Sequence, residues 1–287
     1  MKTLITWLLC IPVLAWAAPD LDKIWPSPPQ PSRHVIYSEV VEQNIILTVD
    51  LPPGYGTGSG DFPVLYLVDG NVYSSQVNSP KNMLIWDSII TPFITVGVDT
   101  ENYSMKEWVR NREYFLTPTS AAAYDPSEGQ IEKSGGGPKL AECFKKEILP
   151  FIESEYRTKK NDRTLAGHSF GGLFALYAFF NHTDMFQKYL ASSPSLAWDD
   201  KIVFKYESSY AELNEDLKAK VFLSFGDLEN HPDYPGIDWM NELVDKLASR
   251  DYPGLELEKK IHENENHLSV LAPALREGIK YLYKNGD

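Results

Sequence analysis

Five residues, Gly167-His168-Ser169-Phe170-Gly171, carry the pattern G-x-S-x-G, and the chemistry it permits is nucleophilic attack by a serine hydroxyl. Their setting gives the pattern its meaning. An apolar strand (Thr164 to Ala166) leads in, and an apolar helix opens at Gly172. A serine on a tight strand-to-helix turn needs small neighbours, because side chains at the flanking positions would collide with strand and helix backbone. The helix behind it turns its positive end toward the reacting oxygen.

A serine hydroxyl needs a base to take its proton. The six histidines are at positions 34, 168, 182, 231, 262 and 267. His168 sits inside the elbow, where the turn points it away from the nucleophile, and is read as structural. His34 precedes the nucleophile and His182 ends its helix. His267 stands in a polar turn after the last expected strand and before the last helix. That is the place of the general base in the chain order Ser, acid, His.

The acid should orient the imidazole and stabilise its charged form. It is sought after the strand KVFLSFG, where Glu229 is favoured because a residue two or three past the strand reaches back across the turn. Asp227 is the alternative and Asp238 a more distant one. A Ser–His pair with no acid is also chemically sufficient. For the oxyanion, backbone N–H groups are expected from Phe170, just after the nucleophile, and from Asn71 or Val72 in the turn after FPVLYLVDG. No metal or organic cofactor is called for.

These residues must be held by a scaffold, and the order of elements describes one. HVIYSEVV and NIILTVDLPP read as an opening hairpin; FPVLYLVDG and FITVGVDT are apolar runs suited to strands buried on both faces. From Pro138, the spacing of Leu140, Phe144, Ile148, Phe151 and Ile152 predicts a helix reaching about Tyr156. RTLAGHS, KYLASSPSL, KVFLSFGD and LELEKKIHE are further strands. Helices are expected at GGLFALYAFF, from Asp238 to Arg250 and from Ser269 to Tyr283. Strands alternating with helices imply an α/β fold with a mostly parallel sheet covered on both faces. The stretch 102–137 fits no clean period and is expected to be an insertion forming a lid or wall near the site.

Composition narrows the partners. The formal charge of −13 disfavours nucleic acid, whose phosphates would be repelled. Residues 1–17 read as a cleaved signal peptide: Lys2, then an apolar run from Leu4 to Trp16, then the small-x-small triplet Ala15-Trp16-Ala17. The run is too short for a permanent membrane anchor. A periplasmic or secreted protein follows, with residues 18–287 as a single domain. Cys10 leaves with the signal, so Cys143 has no disulfide partner within the chain and is read as a buried core thiol.

The chain resembles the esterase branch of the α/β-hydrolases, which includes siderophore esterases that open the enterobactin trilactone, feruloyl esterases and S-formylglutathione hydrolase. The resemblance is carried by YLVDGN (66–71), VGVDT (96–100), RNREYFLTPT (110–119), the glycines 135–137 and ILPFIESEYRT (148–158). GHSFGG, SSPSLAW (192–198) and NHLSVLAPALREGIKYLY (266–283) extend it over nearly all of residues 18–287. It implies the α/β-hydrolase fold and hydrolysis of a small-molecule ester or lactone through an acyl-enzyme, with a siderophore trilactone as the leading substrate. It further implies that Arg110 and Arg112, with Lys106 nearby, meet an anionic catecholate ligand; the competing reading of Arg112 is a structural ion-pair partner. A general carboxylesterase, a feruloyl or acetyl-sugar esterase, an acyltransferase and a binding protein on the same scaffold are the alternatives.

Overall fold

The computed structural model describes residues 29–102, 104–119 and 134–286. The expected signal peptide, residues 1–17, and the middle of the expected insertion lie outside the described residues.

The β-branched opening segments form the hairpin β1 (Ser32–Ser38) and β2 (Gln43–Asp50), paired antiparallel. The two apolar runs become β3 (Phe62–Val68) and β4 (Ile94–Thr100). They are followed by β5 (Thr158–His168), β6 (Lys188–Ser192) and β7 (Ala219–Gly226). A two-residue ribbon, β8 (Asn230–His231) with β9 (Tyr234–Pro235), precedes the edge strand β10 (Leu255–His262). The eight-stranded sheet runs β1-β2-β4-β3-β5-β6-β7-β10, and every pair from β4 onward is parallel. This is the mostly parallel α/β-hydrolase sheet that the element order predicts.

The helices are α1 (Gly70–Trp86), α2 (Met105–Leu116), α3 (Gly137–Cys143) and α4 (Leu149–Glu155). They continue with α5 (Phe170–Asn181), α6 (Trp198–Leu213), α7 (Gly236–Ser249) and α8 (Leu271–Leu282). Successive residues of β3 show how the sheet is covered. Val64, Tyr66 and Val68 join one apolar cluster, with Phe144 and Phe174, while Leu65 and Leu67 join the other, with Leu275 and Ile279 of α8. A strand buried on both faces reads as an unbroken apolar run for this reason.

Three local differences from the sequence reading have physical causes. The single helix expected over 138–156 is divided: a π-helical turn at Phe144–Ile148 joins α3 to α4, just before Pro150, which has no N–H to give to the preceding turn. Helix α1 is not among the elements expected from sequence because its buried face (Gly70, Tyr73, Val77, Lys81, Leu84) contains a lysine and Pro80 lies within the helix. Lys81 is fully buried, pairing with the Asp50 carboxylate of β2 and donating to Thr95 Oγ1 at 3.1 Å. Finally, the stretch 102–137 holds α2, started by Ser104, whose Oγ accepts from the Glu107 N–H at 3.2 Å. Only Phe115 and Leu116 of α2 are buried, so its face leaves little periodic signal.

Candidate active site

Ser169 lies between β5 and α5 with φ 59° and ψ −117°, a conformation that a serine adopts only when its surroundings impose it. The surroundings do so by close packing. A Cβ on Gly167 would lie 2.3 Å from the Gly171 carbonyl group, so strand and helix can approach across this turn only without side chains there. Ser169 N–H donates to the Ser192 carbonyl at 3.0 Å, tying the elbow to β6. Phe170 is the first residue of α5, a position whose N–H has no partner within the helix.

His267 stands in the loop after β10, presented by a small polar turn. Asn266 Oδ1 accepts from the N–H groups of Leu268 and Ser269 at 3.0 and 3.1 Å. The ring Nδ1 lies 2.6 Å from Glu229 Oε2. Glu229 is itself held at the end of β7: its Oε1 accepts from the Gly226 N–H at 2.8 Å and from Ser193 Oγ at 2.6 Å. The carboxylate side chain is 5% exposed while the imidazole is 48% exposed, so a buried anion orients a ring open to the cleft. A carboxylate oxygen only accepts; Nδ1 therefore carries the hydrogen, and Nε2 offers its lone pair.

Asp227 has another task. Its Oδ1 accepts from the Glu265 N–H at 3.3 Å, and Leu228 N–H donates to the Glu265 carbonyl at 3.1 Å. These bonds join the loop after β7 to the loop bearing His267. Gly226 permits the approach, since a Cβ there would meet Glu265 O at 2.2 Å.

Two further residues contact the Glu229–His267 pair. Ser193, at φ 42°, completes the cradle of Glu229. It belongs to SSPSLAW, a segment that suggests no catalytic role by composition. His168 is 1% exposed, with its ring centroid 4.6 Å from that of His267 and its Nδ1 3.2 Å from Ser192 Oγ. Burial, then the neighbouring His267 and Arg112, push its pKa down to about 3, so it packs against His267 as a neutral ring.

Ser169, Phe170, Glu229 and His267 line one cleft of about 640 Å³, walled further by Trp198, Tyr234, Glu113 and Asp199. The Phe170 and Trp198 rings meet edge to face at 5.3 Å. The size and aromatic lining suit an organic ligand larger than a simple acetyl ester.

The remaining residues singled out from the sequence do not line this cleft. Asn71 N–H donates to Asp99 Oδ2 at 3.2 Å. Burial and the charge of nearby Asp69 raise the Asp99 pKa to about 7. Arg110 is exposed on α2 and does not line the cleft. Arg112 does not line it either: its Nε donates to Asp69 Oδ2 at 2.8 Å and its Nη2 to the His168 carbonyl at 3.1 Å. Cys143 is a buried free thiol, its pKa raised to about 12 by burial. Among the described residues no group of three or more His, Cys, Asp or Glu is arranged to hold a metal, and no helix is long and apolar enough to cross a membrane.

Comparison with known proteins agrees with this architecture. The family model described as Putative esterase matches residues 38–232. The ferri-bacillibactin esterase BesA of Bacillus subtilis is 26% identical over 226 residues, covering 77% of this chain and 78% of that protein. A siderophore enterobactin esterase of Emericella nidulans is 31% identical over 249 residues, covering 76% of this chain and 81% of the relative. Among solved structures, the BES protein from Bacillus cereus superposes with a TM-score of 0.78 at 26% identity, covering 89% of this chain and 96% of that one. The siderophore hydrolase EstA from Aspergillus nidulans gives 0.76 at 25% identity, with 89% and 97% covered. The chain belongs to this esterase family and is an ester hydrolase of the α/β-hydrolase fold.

Proposed function

We propose that the protein is a serine esterase that opens ester or lactone bonds of a siderophore through an acyl-enzyme on Ser169. The observation that carries the reading is the convergence of Ser169, His267 and Glu229 on one aromatic-walled cleft, with Glu229 Oε2 2.6 Å from His267 Nδ1. His267 Nε2 takes the Ser169 proton as Oγ attacks the ester carbonyl, and Glu229 stabilises the imidazolium that forms. The developing oxyanion is met by the Phe170 N–H at the positive end of α5. The Asn71 N–H is the second donor in this reading, once substrate draws it from Asp99. His267 then protonates the leaving alkoxide, and water, activated by the same ring, releases the acid and restores Ser169.

The siderophore substrate is supported by the relatives, several of which are named for siderophore ester hydrolysis. A cleft of about 640 Å³ with aromatic walls supports a ligand larger than a short acyl ester. Mass spectrometry of the products from trilactone siderophores, free and iron-loaded, against feruloyl sugars and short acyl esters tests it. Linear hydroxy acids released from the trilactone are expected; a trilactone recovered intact while short esters are cleaved would reduce the reading to a general carboxylesterase. Export rests on residues 1–17 acting as a cleaved signal, and amino-terminal sequencing of the protein from its native host is expected to begin at Ala18.

A further inference from the structure

Arg112 packs against the elbow of Ser169 from an element that contributes no reacting group. It lies on α2, in the segment between β4 and α3, and its side chain is 13% exposed. The guanidinium is 5.6 Å from the Trp108 ring centroid and 5.4 Å from that of Phe170. Its fork contacts two different catalytic segments. Nε binds the carboxylate of Asp69, which is 3% exposed, and Nη2 binds the carbonyl of His168, the residue before the nucleophile. Asp69 opens the turn that carries Asn71: it has a left-handed φ of 57°, and its carbonyl accepts from the Val72 and Tyr73 N–H groups, both at 3.1 Å. Asp69 and the elbow are also adjacent, since a Cβ on Gly171 would lie 3.6 Å from Asp69 Oδ2.

We propose that Arg112 is a positioning residue that locks the nucleophile elbow to the oxyanion-side turn, and that it does not bind the substrate. The proposal rests on the esterase reading above. Two strained turns, at Ser169 and at Asp69, must keep a fixed separation for attack and oxyanion binding to occur together. A planar guanidinium suits the task because its N–H groups diverge in fixed directions to the two acceptors. Its charge is matched by the buried Asp69 carboxylate, and Phe170 packs against it, so little of that charge is left to select an anionic ligand.

The test compares wild type, Arg112→Lys and Arg112→Gln on a neutral ester, p-nitrophenyl acetate, and an anionic one, p-nitrophenyl hydrogen succinate. Melting temperature and labelling of Ser169 by a fluorophosphonate are recorded alongside. Displacing the elbow by a fraction of an ångström is expected to lower kcat roughly 30- to 100-fold on both esters, with KM within about threefold. Arg112→Lys is expected to recover only part of the loss, because one ammonium cannot span both acceptors. It carries the same test if Arg112→Gln is not recovered folded. A loss confined to the anionic ester, or one appearing in KM alone, overturns the proposal and makes Arg112 a substrate contact; unchanged kcat on both esters overturns it as well. Wild type that cleaves neither ester and takes no label contradicts the esterase reading, and the proposal falls with it.

Discussion

Replacing Glu229 with glutamine separates an orienting acid from a simple Ser–His pair. The carboxylate accepts three hydrogen bonds, from His267 Nδ1 at 2.6 Å, Ser193 Oγ at 2.6 Å and Gly226 N–H at 2.8 Å. Glutamine keeps one oxygen, which can retain the bonds from Ser193 and Gly226, and turns its NH2 toward His267. Nδ1 must then accept, which moves the ring hydrogen to Nε2, and a protonated Nε2 cannot take the Ser169 proton. The imidazolium formed during attack also loses its counter-charge. Together these effects should lower kcat by about 10³- to 10⁴-fold, with KM for p-nitrophenyl acetate little changed. The stability loss should be smaller, roughly 1–2 kcal/mol or a few degrees in Tm, because charged hydrogen bonds become neutral ones without leaving a buried group unpaired. Asp227→Asn serves as the control. Its bond to Glu265 N–H is 3.3 Å long and an amide oxygen can still accept it, so less than about threefold change in kcat is expected. A Glu229→Gln enzyme within tenfold of wild type, or an Asp227→Asn enzyme equally impaired, would refute the assignment of the acid.

Gly226→Ala places a Cβ 2.2 Å from Glu265 O and must part the loops that bring Glu229 and His267 together. A loss of about 1–3 kcal/mol in denaturant unfolding and roughly a hundredfold in kcat is expected, and a fully active variant would show that the loops tolerate separation. His168 should give the folded protein a characteristic acid sensitivity. Its pKa is about 3 when folded against an ordinary 6.5, so between those values the unfolded chain binds a proton that the folded one excludes. Its contribution to stability is therefore present above about pH 6.5 and lost as the pH falls toward 3. Asp99, raised to about 7, acts with the opposite sign over roughly pH 4 to 7, so the quantity to read is the difference between wild type and His168→Gln. Equilibrium unfolding from pH 4 to 8 should show that difference shrinking by a few kcal/mol toward the acid end; a constant difference would mean that His168 is not held neutral.

The sequence describes the sheet more fully than the site. Apolar runs such as FPVLYLV and the alternation of strands with helices state the sheet directly, because strands buried on both faces leave no room for polar residues. Helix α1 escapes because its buried lysine is matched by Asp50 and Thr95, partners on other strands that no local period reveals. The elbow is legible because Gly167 and Gly171 touch each other within five residues of chain. The choice between Glu229 and Asp227 is not legible, since both follow the same strand. It depends on which carboxylate faces the loop of His267, some 38 residues later, and the structure puts Glu229 on the imidazole and Asp227 on a backbone N–H. Whether Arg112 meets an anionic ligand or is a structural ion-pair partner is likewise left open by the sequence, because Asp69 and the His168 carbonyl, which its guanidinium contacts, are each more than 40 residues away in the chain.

The central claim is that Ser169 is the nucleophile, and covalent labelling tests it most directly. Wild-type protein, Ser169→Ala and His267→Ala are treated with a fluorophosphonate, then weighed intact and peptide-mapped by mass spectrometry, with hydrolysis of p-nitrophenyl acetate measured in parallel. One phosphonyl adduct on the Ser169 peptide of wild type is expected, greatly slowed in His267→Ala and absent from Ser169→Ala, whose hydrolysis falls to the background rate. An adduct on another residue, or a Ser169→Ala protein that keeps near-normal hydrolysis, would contradict the account.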